Sequence, residues 1–282
     1  MTVLDILGQL GRFMTADGII ATLGVAIFAT WLLQTSLGRR ALADARPRRN
    51  SMAPYTPLIP FLVWFLGFSL ANSVVDFIAP PVQGIAKLIR DNVVFGVLAL
   101  LTVIGLILPL ASYHFARGLK GFGLRPKTIP RDFGAAFLHL LAIWPLMAVM
   151  FMATSVIGQW FQGPNFEMPK HDTLKIMGEH PDVSLQVLLA ILAVVVAPLI
   201  EETVFRGMFQ SMIRSHLGRP WPAIIATSVL FVMVHANLSH WPALFALSLG
   251  LGYAYEKSGS LFRPIFMHVL FNGATIALKL TE

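Results

Sequence analysis

Long apolar stretches separated by short polar connections make up most of this chain. A helix needs about 20 mainly apolar residues to cross the hydrocarbon core of a bilayer. The pattern therefore predicts eight helices, over residues 18–37, 55–78, 92–115, 134–157, 184–200, 222–236, 241–255 and 264–280. Asp5, Arg12 and Asp17 precede the first helix, which is not the layout of a signal peptide, so we expect this helix to remain in the mature protein.

The composition is typical of a membrane protein. Hydrophobic types make up 56% of the 282 residues and charged types 12%, which is about half the charged share usual in soluble domains. A soluble enzyme, a disordered chain and a nucleic-acid-binding module are thereby excluded. The chain has no cysteine, so neither a disulfide framework nor a thiolate metal site is available. We predict an all-α fold: a polytopic integral membrane helical bundle of about eight transmembrane helices, forming a single membrane domain over residues 1–282.

Positive charges are distributed unevenly along the predicted bundle. The connections and helix ends that follow odd-numbered helices contain 15 of the 21 Lys and Arg residues, and the other side contains six. Because positively charged loops stay on the cytoplasmic side, we expect the richer side in the cytoplasm and both termini outside. The net charge of +7 then reflects topology, and no nucleic-acid partner is predicted. The lipid bilayer is the predicted partner, with anionic headgroups near residues 39–49.

The longest polar connection covers residues 158–183 and lies on the predicted outer side. Two interpretations remain open for it. It is either an ordinary loop or a segment that shields or gates a cavity, since long loops in compact domains are often functional.

Ionisable side chains beside or within apolar stretches are the main functional candidates, because they are costly in a membrane. Glu201 and Glu202 directly follow the apolar run 184–200. On a helix, Glu202 and Arg206 are one turn apart and can pair, whereas Glu201 points about 100° away and stays available for chemistry. The alternative is a solvated cytoplasmic helix end.

Two later helices also carry polar side chains on one face. Phe231 and His235 share a face of the sixth helix, and His268 and Asn272 share a face of the eighth. A single helix histidine is commonly a hydrogen-bonded packing residue, and His and Asn often bridge membrane helices. Taken alone, each pair therefore favours a structural role.

Together, Glu201, His235, His268 and Asn272 can converge on one buried site. Positions 201 and 235 are equally distant from Gly218, so antiparallel helices that meet at this residue place them at equal depth. His268 is expected to be shallower by about 10 Å, since it follows its polar turn closely and a helix rises only 1.5 Å per residue. A tilt, a kink or a lower loop has to close that difference.

The segments EETVFRG, FVMVH and HVLFN resemble the EExxxR, FxxxH and HxxxN motifs of the CPBP family of intramembrane proteases. That family includes the type II CAAX prenyl endopeptidases and abortive-infection-like proteins. All three motifs match without a departure, in order, within the last third of the chain. The resemblance covers residues 184–280 and implies that they form a catalytic four-helix core. The four N-terminal helices over residues 18–157 match the family only in being apolar.

The resemblance also implies a role for each motif residue. Glu201 and His235 would activate a water molecule, and His268 and Asn272 would stabilise the oxyanion of the tetrahedral intermediate. The supporting residues would be Glu202, Arg206 and Phe231. These roles are the ones that peptide hydrolysis requires: a base for water, a proton donor for the leaving amine, and preorganised donors for the oxyanion.

A metal-dependent version of the site is the alternative, since the family is also described as metalloproteases. Glu201, His235 and His268 would then form a two-His, one-Glu zinc set. The resemblance also supports a metal-free mechanism, which we favour because Asn272 suits an oxyanion donor better than a zinc ligand. No cofactor is required in that case, and zinc remains the alternative cofactor.

The predicted function is an intramembrane endopeptidase that cleaves a membrane-associated protein or peptide, with a prenylated CAAX-type chain as one candidate substrate. We expect it as a multi-pass protein of a bacterial-type cell membrane, with an active site reached from the cytoplasm. Two other functions remain open. The same fold could serve as a non-catalytic scaffold or immunity protein. A transporter would be expected to show repeat halves or paired broken helices, and neither is visible in the sequence.

Overall fold

The computed structural model describes residues 16–169 and 171–281, and these residues are mostly helical. The prediction that the first helix remains in the mature protein rests partly on Asp5 and Arg12, and both lie outside the described residues. The main helices are α1 (Ala16–Gln34), α2 (Leu58–Ile78), α3 (Gly84–His114), α4 (Ile129–Gln162), the short α5 (Asp172–Glu179), α6 (Val183–Leu217), α7 (Pro220–Met233), α8 (Trp241–Ser258) and α9 (Phe262–Thr281). A further helical turn, Gly118–Phe122, lies in the connection before α4 and almost continues into it.

All eight predicted helices are present, and two differences in their bounds bear on the site. Helices α3, α4 and α6 extend beyond their apolar runs, because helical hydrogen bonding continues through charged residues. Helix α6, for example, continues through the two glutamates to Leu217. Helix α7 is shorter than predicted and ends at Met233, so the prediction that His235 lies within it is wrong. The side chain of Asn237 instead caps a separate 3-10 turn at Leu238–His240, which competes with continuation of α7.

The outer surface of the bundle suits a bilayer. Among the described residues, four helical segments are long and apolar enough to span a membrane: Leu58–Ile78, Gly84–His114, Gly118–Gln162 and Val183–Leu217. Large apolar side chains are widely exposed, including Phe77 at 90% and Leu33 at 82%. Such a surface is unfavourable in water and matches lipid. The fold class, an all-helical membrane bundle, is thereby confirmed, while eight as the number of membrane spans stays a prediction.

The connections between helices gather at two ends. We call one of them the basic end; it comprises connections 35–57, 115–128, 218–219 and 259–261. Lys257 Nζ donates to the carbonyl of Ala41 at 2.9 Å, and the backbone N–H of Leu261 donates to Gly123 at 3.0 Å. We call the other the opposite end; it comprises connection 79–83, the α4–α6 connection with α5, and connection 234–240.

The core is continuous toward the basic end. Helices α3, α6, α7 and α8 bury a shared apolar cluster that includes Ile107, Ile200, Phe205, Met208 and Phe231. Beside this cluster lies a buried polar group that we call the basic-end network, consisting of Arg48, Gln210, Arg214, Tyr255 and Glu256.

The basic-end network joins connection 35–57 to α6 and α8. The guanidinium of Arg48 lies 3.4 Å from the ring centre of Tyr255 and 3.6 Å from the carboxylate of Glu256. Glu256 is also 3.7 Å from Arg214 and accepts a hydrogen bond from Gln210 Nε2 at 3.1 Å. Because buried charges are stable only when paired and hydrogen-bonded, this network fixes the three segments against one another.

Gly207 provides a test of core packing. A Cβ at this position would overlap the ring of Phe122. We expect Gly207→Ala to lower the free energy of unfolding by about 1–3 kcal/mol, because overpacking a dense core forces its neighbours to shift. Thermal unfolding of the protein in detergent measures the change.

The matched control is Gly105→Ala in α3, where an added Cβ meets no atom within 4 Å. The same exchange should there raise stability by about 0.5–1 kcal/mol, because alanine favours a helix more than glycine does. Equal effects of the two exchanges would contradict the packing assigned to Gly207.

Candidate active site

Helix α6 brings two adjacent glutamates into different environments. Its hydrogen bonding widens to the π-helical i→i+5 pattern over Leu192–Val196 and Thr203–Gln210, and the α-helical turn Ala197–Glu202 between them carries Glu201 and Glu202. Glu202 is fully buried, whereas the side chain of Glu201 is 15% exposed. The rotation of about 100° between neighbouring helix positions separates the two carboxylates.

Glu202 is the centre of a buried ionic cluster that also contains Arg206, Ser248 and His268. Its Oε1 accepts from Arg206 Nη1 and lies within hydrogen-bond distance of His268 Nδ1, both at 2.9 Å. Arg206 Nη2 donates to the hydroxyl of Ser248 at 2.7 Å and to its carbonyl at 3.2 Å. The pair predicted from the i,i+4 spacing is thus present. Because a carboxylate can only accept, we assign the proton of this contact to Nδ1 of His268.

Backbone contacts on both sides hold His235 in place just beyond the end of α7. Its Nδ1 lies 2.8 Å from the carbonyl of Phe231, an acceptor, so Nδ1 carries the proton and Nε2 is left with a lone pair in the neutral ring. Trp241 Nε1 donates to the carbonyl of His235 at 2.9 Å.

Phe231 packs between the polar side chains as an apolar spacer. Its ring centre is 4.8 Å from that of His235 and 6.0 Å from that of His268. On the same ring, the guanidinium of Arg206 lies 4.6 Å from the centre, within the range of a cation–π contact. Phe231 therefore positions both histidines relative to the ionic cluster.

Helix α9 contributes His268 and Asn272. His268 Nε2 lies 3.8 Å from Oε2 of Glu201, so this ring touches both glutamates. Asn272 Nδ2 donates to the carbonyl of Ala193 at 2.7 Å, within the first wide turn of α6. Asn272 thus bridges two helices, as the structural interpretation of this residue predicts. An amide nitrogen has two N–H groups, so one N–H remains for another acceptor.

The sequence predicted that His268 lies at a different depth from His235. A lower turn between α8 and α9 removes this difference. The turn between α8 and α9 does not reach the level of the α6–α7 turn at Gly218. Glu256, three residues before Gly259, contacts Gln210 and Arg214 of α6, which lie well before Gly218 in the chain. Helix α9 therefore starts deeper in the bundle, and its second turn reaches Glu202.

A cavity of about 780 Å³ connects the candidate residues. Glu201, His235, His268 and Asn272 all line it, so the structure brings together the four residues predicted to be catalytic. The supporting residues Glu202, Arg206 and Phe231 are buried beside these side chains and do not line the cavity. The volume falls within the range of about 300–1,000 Å³ that is usual for ligand pockets.

The cavity wall is mainly apolar and extends to the lipid-facing surface. Phe65 of α2 and Phe151 of α4 line the cavity and are also 47% and 46% exposed. The cavity therefore reaches the side of the bundle between these helices, where a chain within the bilayer could approach it.

Two histidines at the opposite end line the cavity and were not singled out from the sequence. His171 precedes α5, and His240 ends the 3-10 turn after α7. Their rings stack with centres 6.4 Å apart. Partial burial, with further repulsion from His235 and His240, lowers the pKa of the His171 imidazole. The segment HANLSH, with two histidines five residues apart, was the available sequence signal for His240.

The alternative zinc set does not form a ligand cluster in this arrangement. Among the described residues, no three His, Asp or Glu side chains lie close enough together to hold a metal ion. Glu201, His235 and His268 share the cavity, yet they do not converge on a common point at coordination distance. The residues present therefore do not fit zinc as they stand.

A family model matches about a third of the chain. Residues 183–274 match the family model described as "Type II CAAX prenyl endopeptidase Rce1-like". The matched range runs from the start of α6 into α9 and contains all three motifs.

Two relatives were found. An "Uncharacterized 24.3 kDa protein" of Escherichia coli is 32% identical over 125 residues, which is 42% of this chain and 56% of that protein. The "Putative membrane peptidase YdiL" of Bacillus subtilis (strain 168) is 27% identical over 93 residues, which is 33% of this chain and 38% of that protein. The chain thus spans about half of one relative and less of the other. No solved structure matches the chain.

The two neighbouring glutamates should respond differently to the same exchange. Glu202→Gln is expected to lower the free energy of unfolding by about 3 kcal/mol, because it leaves the buried charge of Arg206 unpaired. Glu201→Gln should change it by less than about 1 kcal/mol, since this side chain faces the cavity and is only loosely paired. Thermal unfolding in detergent compares the two variants, and equal losses would show that the two carboxylates share one environment.

Proposed function

Residues 183–274 belong to the Rce1-like family of type II CAAX prenyl endopeptidases, and on this premise we propose that the chain is an intramembrane endopeptidase. The observation that carries the proposal is the meeting of Glu201, His235, His268 and Asn272 in one cavity. These side chains come from three separate parts of the chain, and hydrolysis of a peptide bond requires the chemistry that each of them offers.

The substrate class is a protein or peptide associated with the membrane. The mainly apolar wall suits apolar side chains of a bound segment, and the cavity reaches the lipid-facing surface at Phe65 and Phe151. A substrate can thereby pass from the bilayer to the reacting groups without crossing bulk water. A prenylated CAAX-type chain is one member of this class and takes its support from the family name alone.

Glu201 and His235 act on the attacking water. The carboxylate of Glu201 accepts a water proton as the oxygen forms a bond to the peptide carbonyl carbon. His235 is held with its Nε2 lone pair free, because Nδ1–H donates to Phe231, so Nε2 orients the same water as a second acceptor. When the C–N bond breaks, the proton held by Glu201 passes to the leaving amine.

Asn272 and His268 stabilise the oxyanion. The N–H of Asn272 that is not used by Ala193 donates to the developing charge. His268 already directs Nδ1–H to Glu202, so its Nε2 can donate only when the ring carries both protons. Glu202 therefore supports catalysis by accepting the Nδ1–H of His268, which orients the ring toward the cavity.

We propose that the enzyme uses no metal and that it is a multi-pass membrane protein with its basic end in the cytoplasm. The arrangement of donor side chains supports the first statement, and the distribution of Lys and Arg supports the second.

Glu201→Gln is expected to reduce proteolysis by about a hundredfold or more, because the variant lacks the base that accepts the water proton. New protein termini in membranes that contain the wild type are compared with those in membranes that contain the variant at a matched level. The control is Thr275→Val, which keeps the shape of a cavity-lining residue whose hydroxyl bonds only its own helix, and it should retain cleavage. Equal sets of termini for wild type and Glu201→Gln would favour the scaffold function.

Cleavage by the purified protein is expected to persist after treatment with a zinc chelator, because the base and the oxyanion donors are protein side chains. The rate on a substrate identified from the termini is measured before and after chelation. A loss that added zinc restores would instead establish the metalloprotease alternative.

A further inference from the structure

The cavity lies toward the opposite end of the bundle. Helices α3 and α8 contribute lining residues from the first half of each helix, α6 contributes from its start to its middle, and α4 contributes from its second half. These parts of the four helices lead to the opposite end, whereas α2 contributes Trp64, Phe65 and Phe68 from its middle and from the half nearer the basic end. Met168, Pro169 and His171 of the α4–α6 connection complete the wall there.

The bundle is closed on the basic side of the candidate residues. Glu202, Arg206 and Phe231 are fully buried immediately behind the cavity wall. The basic-end network follows them along α6 and α8, with Gln210 at 0% and Glu256 at 3% exposure. Within the described part of the chain, none of these residues lines the cavity, so the cavity does not extend into this end.

The cavity reaches solvent at the opposite end. Pro169 and His171 line the cavity and are also exposed. His240 Nε2 contacts the carbonyl of Pro169 at 2.8 Å, which joins the two connections that border the entrance. The α4–α6 connection thus borders a cavity, as one of its two sequence interpretations proposed.

The charge distribution indicates on which side of the membrane each end of the bundle lies. Arg48, Arg206, Arg214 and Arg263 are largely buried and paired with carboxylates, so they contribute little to topology. Eleven of the 15 positive residues on the basic side remain once these four are set aside, against six on the other side. The basic end is therefore cytoplasmic by the positive-inside rule.

We infer that the cavity opens on the non-cytoplasmic side of the membrane, and that the substrate is a protein or peptide segment presented to the membrane from that side. The part about the substrate rests on the proposed proteolytic function, whereas the part about the opening does not. A segment anchored in the cytoplasmic leaflet would face the sealed basic end. The sequence predicted an active site reached from the cytoplasm. If the basic end lies in the cytoplasm, a cavity that opens at the opposite end cannot be reached from there.

The absence of cysteine makes the opening directly measurable with single-cysteine variants. Ala197→Cys places a thiol inside the cavity, one turn before Glu201. Glu167→Cys marks the exposed opposite end, and Ser215→Cys marks the exposed basic end. Each variant is treated with a charged, membrane-impermeant thiol reagent in right-side-out and in inside-out vesicles. Labelling after denaturation confirms that every thiol is present, and thermal unfolding confirms that every variant is folded.

Ala197→Cys and Glu167→Cys should react faster in right-side-out vesicles, and Ser215→Cys faster in inside-out vesicles. The rates should differ by about fiftyfold or more, because a charged reagent is excluded from the bilayer core. Reaction of Ala197→Cys from the cytoplasmic face, or from neither face, would overturn the inference. Thiol labelling does not depend on cleavage. Equal sets of protein termini for wild type and Glu201→Gln would therefore refute proteolysis, while the labelling would still show the side on which the cavity opens.

Discussion

The buried ionic cluster around Glu202 constrains the rest of the site. Removing a carboxylate and a guanidinium from water is unfavourable unless each gains close partners, and here α6, α8 and α9 all contribute one. The three helices must therefore keep a fixed register. That register determines how His268 is oriented and how Glu201 is separated from Glu202. It also closes the cavity on the side of the buried Glu202, Arg206 and Phe231.

The spacing of residues along the sequence predicted the features that depend on a single helix. The eight apolar runs predicted the helices, and one turn between Glu202 and Arg206 predicted their contact, because both depend on neighbours in sequence. The end of α7 was missed, since an apolar run gives no indication that Asn237 caps the following turn. The depth of His268 was missed for a similar reason, because it depends on contacts between Glu256 and α6.

The composition of the cavity wall could not be predicted, because the wall comes from seven helices and two connections. Residues such as Phe65, Phe151, His171 and His240 have no common motif, and only packing brings them together. The motif residues were identifiable because ionisable groups are rare in apolar helices. Their convergence is now visible in the structure, whereas their catalytic roles and the division of the chain into two groups of four helices remain predictions.

The part of α6 that contains its two π-helical segments cannot change in length without loss of contacts to neighbouring helices. Ala193 and Glu202 attach this helix to α9, and Gln210 attaches it to α8. One inserted or deleted residue rotates all that follows by about 100° and shifts it by about 1.5 Å. Insertions and deletions between positions 193 and 210 would therefore separate at least one of these attachments. Length variation in the α4–α6 connection leaves these attachments in place, so this part of the cavity wall can change while Glu201, His268 and Asn272 stay fixed.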